Sequence, residues 1–149
     1  MNVTSKLIDL ARSEARKIHK FNEPLGPGKG NKRSNDFTRR LRWLAETRLQ
    51  SAIQAEHPTI SGANYRFDYF IPSEKTVIEI ALSLHNANTE FEKDIMKVLL
   101  AKYHGLDIRR LVFLGKTGSE SRMQEAGPAA LKAYAKSKYK LIIDVIEIS

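Results

Sequence analysis

The stretch from Tyr65 to Leu84 constrains the fold of this chain more than any other. It runs Tyr65-Arg66-Phe67-Asp68-Tyr69-Phe70-Ile71-Pro72, turns through Ser73-Glu74-Lys75, and returns as Thr76-Val77-Ile78-Glu79-Ile80-Ala81-Leu82-Ser83-Leu84. Both arms are rich in β-branched and aromatic residues and the connector is polar, which predicts a β-hairpin. One carboxylate interrupts each apolar arm, Asp68 in the first and Glu79 in the second. A lone carboxylate in a strand that wants burial costs free energy unless something compensates it. Two on facing strands have two ways out. They converge on a divalent cation, which takes oxygen ligands, or they point to solvent or pair with Lys and Arg.

The rest of the chain alternates helical and strand patterns. Leu7, Ala11, Ala15 and Ile18 recur at helical spacing, which predicts a helix over 4–20 capped by Thr4 or Ser5. Its polar side carries Lys6, Arg12, Arg16, Lys17 and Lys20. Gly and Pro make 21–36 a loop with a basic tip at Lys29, Lys32 and Arg33. A helix over 37–56 follows, with Asp36 as its N-cap and Leu41, Leu44, Ala45, Leu49, Ala52 and Ile53 as its apolar stripe. Arg39, Arg40, Arg42 and Arg48 surround that stripe. Glu46 lies beside the buried side or pairs with Arg42 one turn back. His57-Pro58-Thr59-Ile60 is a possible edge strand.

After the hairpin, Thr89-Glu90-Phe91-Glu92 has the capping-box pattern for a helix to about Tyr103, with Lys93 and Lys97 one turn apart. Residues 108–115 read as a strand, 116–127 as a polar loop, Pro128 onward as a helix, and 141–148 as a closing strand. Gly115-Lys116-Thr117 is not a P-loop, because Arg110 stands where that motif needs its first Gly.

Composition narrows the function classes. The 149 residues suit one domain, taken as 1–36 (helix and basic loop) and 37–149 (core). There is no Cys, which excludes a disulfide framework, a zinc–thiolate site and a thiol nucleophile. The four His have no metal-ligand spacing. No apolar run approaches a membrane span, and charges recur from Lys6 on, unlike a signal peptide. The expectation is a cytoplasmic protein without membrane contact. The formal charge of +8 is unevenly spread. Residues 1–50 carry +7, 51–100 carry −3 and 101–149 carry +4. Basic flanks around an acidic centre suit a phosphate backbone as partner, or simply a solvated surface.

Asp68, with Glu79 eleven positions on and Ala81 two beyond that, resembles the core of the PD-(D/E)XK nuclease superfamily. The stretch Glu79-Ile80-Ala81-Leu82-Ser83 is similar to the BglII-like branch of type II restriction enzymes, where the Lys position is replaced. The order helix, two strands, helix, strand, helix, strand over 37–148 also resembles that family's core. The resemblance implies an α/β, restriction-endonuclease-like mixed sheet flanked by helices, here with an extra N-terminal helix. It implies a DNA endonuclease that uses magnesium, with manganese as a possible substitute, and acts as a homodimer. Its metal ligands would be Asp68, Glu79, the Ile80 carbonyl and Glu46. Ala81 departs from the family's Lys. Some members of the family move that charge into the following helix, which makes Lys93 and Lys97 the candidates. Lys29, Lys32, Arg33, Arg39, Arg40, Lys116 and Arg122 are the candidate DNA contacts. A Holliday-junction resolvase and a catalytically inactive nucleic-acid-binding module are the alternatives.

Overall fold

Five strands form one mixed sheet in the order β1-β2-β3-β4-β5. The structure is a computed structural model and describes residues 1–18, 21, 30–60, 62, 64–82 and 87–149, with only the backbone of 30–34 and 87–89. The strands are β1 (Gln54–Pro58), β2 (Arg66–Ile71), β3 (Thr76–Ala81), β4 (Arg110–Gly115) and β5 (Ile142–Glu147). The first three make an antiparallel meander, and β3, β4 and β5 run parallel. The predicted hairpin is β2 and β3, joined by a 3-10 turn at Pro72–Glu74.

The helices are α1 (Val3–Lys17), α2 (Gly30–Leu49), α3 (Ala87–Tyr103), α4 (Ser119–Arg122) and α5 (Ala126–Tyr139). They cover both faces of the sheet, and each face has its own apolar cluster. On one, Leu7, Ala11, Phe37, Leu41 and Ala45 of α1 and α2 pack on Tyr69, Ile71 and Ile78. On the other, Phe91, Ile95 and Val98 of α3 and Ala135 of α5 pack on Phe70, Val77, Leu111 and Phe113. The inner parallel strands β3 and β4 are mostly apolar because they are covered on both sides, whereas β5 at the edge is mainly half-buried. Among the described residues no helix is long and apolar enough to cross a membrane.

Several predicted boundaries move. The first helix starts at Val3, and the Asn2 side chain caps it by accepting the Ser5 N–H at 2.8 Å. Neither Thr4 nor Ser5 is the cap. The second helix begins at Gly30, inside the predicted loop, so Asp36 is an interior residue that pairs with Arg39 at 3.4 Å. That helix ends at Leu49, not 56. Gln50 takes a left-handed φ of 49°, which ends a helix, and the chain turns into β1. The apolar residues Ala52 and Ile53 had extended the helical pattern past its true end. The third helix starts at Ala87, so the predicted capping box at Thr89 lies within it. The polar segment 116–127 contains α4 and the start of α5.

The first helix is part of the main core, not an appendage. Glu74, in the turn between β2 and β3, accepts the N–H groups of Val3 at 2.6 Å and Thr4 at 3.1 Å. It also accepts the Thr4 hydroxyl at 2.6 Å. A carboxylate at a helix N-terminus satisfies orphan donors and meets the positive end of the dipole. Burial alone would push this carboxyl up, but the bonds from Thr4 and Val3 outweigh it and hold Glu74 below the usual carboxylate range. Glu74→Ala is expected to cost about 2 kcal/mol in urea unfolding. A carboxyl lowered in the folded state adds stability that is full above its unfolded pKa and lost as pH falls through its folded value. The variant should therefore differ most from wild type near neutral pH and converge on it in acid.

Candidate functional site

The site begins where β2 loses its regular pairing. The β1–β2 register runs Ala55↔Tyr69 and then His57↔Phe67, passing over Glu56 and Asp68. Glu56 has a left-handed φ of 53°. On the other side the β2–β3 register ends at Tyr69↔Ile78, just before Asp68 would meet Glu79. Strict alternation also breaks here. Phe67 and Phe70 both join the cluster under α3, while Tyr69 and Ile71 join the opposite one. Asp68 thus sits at a bend, and its Oδ2 accepts the Ile80 N–H across the strand gap at 2.7 Å.

Glu79 shares its side of β3 with Val77, which packs under α3, and is 3% exposed. Ala81 lies two residues on and packs against the same cluster. The cation comes from α3. Lys97 Nζ donates to Glu79 Oε1 at 2.9 Å, to Asp94 Oδ1 at 2.8 Å and to the Arg66 carbonyl at 2.9 Å. Asp94 is one helical turn before Lys97 and is itself buried.

This grouping brings two buried carboxylates onto one ammonium, with Asp68 beside the first of them. Burial pushes the Glu79 carboxyl well above its ordinary range, and Asp68 and Asp94 add to the shift while Lys97 opposes it. Burial likewise raises Asp94, against the pull of Lys97. Burial pushes Lys97 down, but Glu79 and Asp94 outweigh it and hold the ammonium above its usual value. Carboxyls pushed upward by burial and by one another, close to a fixed cation, are typical of sites that do chemistry. Ion-pair networks of purely structural purpose produce the same signature.

Of the predicted residues, the structure brings Asp68, Glu79, Ile80 and Lys97 together, with Ile80 contributing its N–H. Lys93 is exposed on α3. Glu46 is exposed on α2, the helix that packs on the other face of the sheet. It is not part of the buried stripe of α2, which runs through Phe37, Leu41, Leu44 and Ala45. Its influence is felt at the Tyr69 hydroxyl, which is raised by burial and then by Asp68, with Glu46 and Glu56 adding to it. Asp94 was missed. It interrupts the apolar stripe of its helix between Phe91 and Ile95, and a buried acid one turn before a Lys was the available signal.

The candidate nucleic-acid contacts are spread more widely. Arg39 and Arg40 are exposed on α2, where Arg40 reaches Glu14 Oε2 at 3.3 Å and lies over the Trp43 ring at 5.6 Å. Lys116 lies over the Phe21 ring at 5.2 Å, and Arg122 is exposed at the end of α4. The side chains of Lys32 and Arg33, and all of Lys29, lie outside the described residues.

Compared with known proteins, the chain matches no protein-family model, no curated protein and no solved structure.

Proposed function

We propose that this chain is a metal-dependent DNA endonuclease built on a restriction-endonuclease-like core. One observation carries the reading. Asp68 and Glu79 meet at a strand bend, and Lys97 reaches Glu79 from the following helix on the side of β3 where Ala81 leaves the motif without its Lys. The meander followed by two parallel strands, with helices on both faces, supports the same reading.

The donor set suits magnesium of a particular kind. Among the described residues no three Asp, Glu, His or Cys side chains are grouped so as to cage a metal ion. Magnesium does not need a cage, since it is commonly held by one or two carboxylates and keeps several waters. Asp68 and Glu79 are hard oxygen donors that repel one another, and a divalent ion between them removes that repulsion. They are the residues that would hold it. Bound there, the ion would lower the pKa of a water and neutralise charge on a scissile phosphate. The Ile80 N–H fixes the Asp68 carboxylate through Oδ2, beside the Glu79 carboxyl. Lys97 supplies the positive charge that the strand lacks, to steady charge on a phosphate in flight. Arg39, Arg40, Lys116 and Arg122 would meet the DNA backbone, which fixes position but reads no sequence. Cutting both strands of a symmetric site calls for two copies related by a two-fold axis, so a homodimer belongs to this reading.

A second reading has its own observation. Lys97 already neutralises Glu79 and Asp94, and Ala81 offers no charge, which favours a silent nucleic-acid-binding module on the same scaffold. Supercoiled plasmid and a synthetic four-way junction separate the readings, each incubated with magnesium, manganese or chelator. Metal-dependent plasmid fragments that vanish with Asp68→Ala are the expected result. Cutting of the junction alone would indicate a resolvase. DNA binding that ignores chelator, with neither substrate cut, would overturn the enzyme reading in favour of the silent module.

A further inference from the structure

The Lys97 ammonium has three N–H groups and three oxygen partners within 2.9 Å. Its side chain is 11% exposed. An ammonium whose donors are all engaged has none left for a substrate phosphate. In this state Lys97 is therefore a counter-ion, and it gains a free donor only by giving up a partner. The three partners are not equivalent. Asp94 is on the same helix, three residues away, and travels with Lys97. The Arg66 oxygen is a neutral carbonyl. Glu79 is on a different element and is the one a second cation would seek, because its carboxylate lies against that of Asp68. Two cations that want one buried carboxylate repel each other strongly where water cannot screen them.

We infer that Lys97 is an internal counter-ion which a divalent cation displaces from Glu79, so that ion entry and release of the lysine donor are a single exchange. The inference rests on the metal reading above and adds to it the role of Asp94 as the positioning residue. Asp94 gives the displaced ammonium an anion to stay on, so the freed N–H remains near the site. The arrangement also keeps the metal-free protein from leaving the two buried carboxylates of Glu79 and Asp94 uncompensated.

The exchange makes predictions for metal binding that do not depend on cleavage. Manganese uptake can be followed by the spin-resonance signal of the free ion in wild type, Asp68→Ala and Lys97→Met. Lys97→Met should bind manganese about tenfold more tightly than wild type, an ordinary size for coupling between two sites. Coupling is reciprocal, so manganese should also loosen Lys97. In wild type, acylation of Lys97 read by mass spectrometry should rise several-fold with manganese, against exposed Lys93 as internal reference. Equal or weaker binding by Lys97→Met would overturn the exchange while leaving the metal reading intact. So would an acylation rate that manganese does not change, and this measurement decides the matter should the Met variant fail to fold. No uptake by wild type or Lys97→Met would overturn the metal reading, and the exchange with it.

Discussion

On the endonuclease reading, Lys97→Met is expected to cut plasmid DNA at least about a hundredfold more slowly than wild type, the loss typical of one preorganised electrostatic group. Ala81→Lys placed in that background should recover part of the lost rate. The reasoning is geometric. Ala81 follows Glu79 on the same side of β3 and packs under α3, so a Lys stem from Ala81 would rise into the space from which Lys97 now descends. If the two positions are alternative sources of one charge, moving the charge back to the strand restores function without any other change. Lys93→Met serves as the control, since Lys93 is exposed and one turn away, and its rate should stay close to that of wild type. Initial rates on a single plasmid substrate check all four proteins. A Lys97→Met variant that cuts at the wild-type rate would remove Lys97 from the reaction. A double variant no faster than the single one would mean that Ala81 is not an alternative seat for the charge.

Glu79→Gln should abolish cleavage and yet stabilise the fold, increasingly so as pH rises. Burial, Asp68 and Asp94 together push the Glu79 carboxyl upward, so the folded protein holds this proton more tightly than the unfolded chain does. Between the two values the folded state binds more protons, and stability falls as pH climbs from the ordinary carboxylate range through the raised folded value. Gln keeps an oxygen for Lys97 and never ionises. The Lys97 ammonium, held above its usual pKa, stays charged throughout this window and does not confuse the comparison. Urea unfolding at intervals from pH 5 to 9 should show a falling wild-type curve and a flatter variant curve. The gap should reach about 1 kcal/mol or more at the alkaline end, within the range seen when a strained functional residue is relaxed. A variant less stable than wild type at every pH would show that the pairing with Lys97 outweighs burial and the neighbouring carboxylates.

The sequence made some of this legible and hid the rest for physical reasons. The hairpin of β2 and β3 was readable because its arms are apolar and its turn is polar, β4 because a strand covered on both faces is an apolar run, and β5 because β-branched residues fill most of its length. β1 was legible only in part. The edge strand expected at 57–60 overlaps Gln54–Pro58 at His57 and Pro58, and its start was hidden because Gln54 and Glu56 are exposed and no residue of the strand is fully buried. The start of α2 was hidden by its own composition, since Gly30 and Asn31 favour turns and tertiary context overrode them. At the site, Asp68 and Glu79 stood out as charges in apolar runs. Lys97 was reachable only as one of two lysines one turn apart, because spacing cannot say which is drawn inward. Asp94 showed only as a charge inside the apolar stripe of α3, and spacing alone cannot say that it stays buried, since that depends on the ammonium it faces.

The carboxylate of Glu74 that caps the first helix has a consequence for the order in which the chain assembles. Val3 and Glu74 are 71 positions apart in sequence. During synthesis at 5–20 residues per second, α1 would emerge roughly 4–14 s before the residue that satisfies its N-terminal N–H groups. Its apolar stripe of Leu7, Ile8, Ala11 and Ala15 also has no sheet to rest on until β2 and β3 exist. A short helix without its cap or its packing partner is marginal in water. This helix leaves the ribosome before the hairpin and yet settles only with it, so the hairpin that carries Asp68 and Glu79 is also the surface on which α1 waits to close.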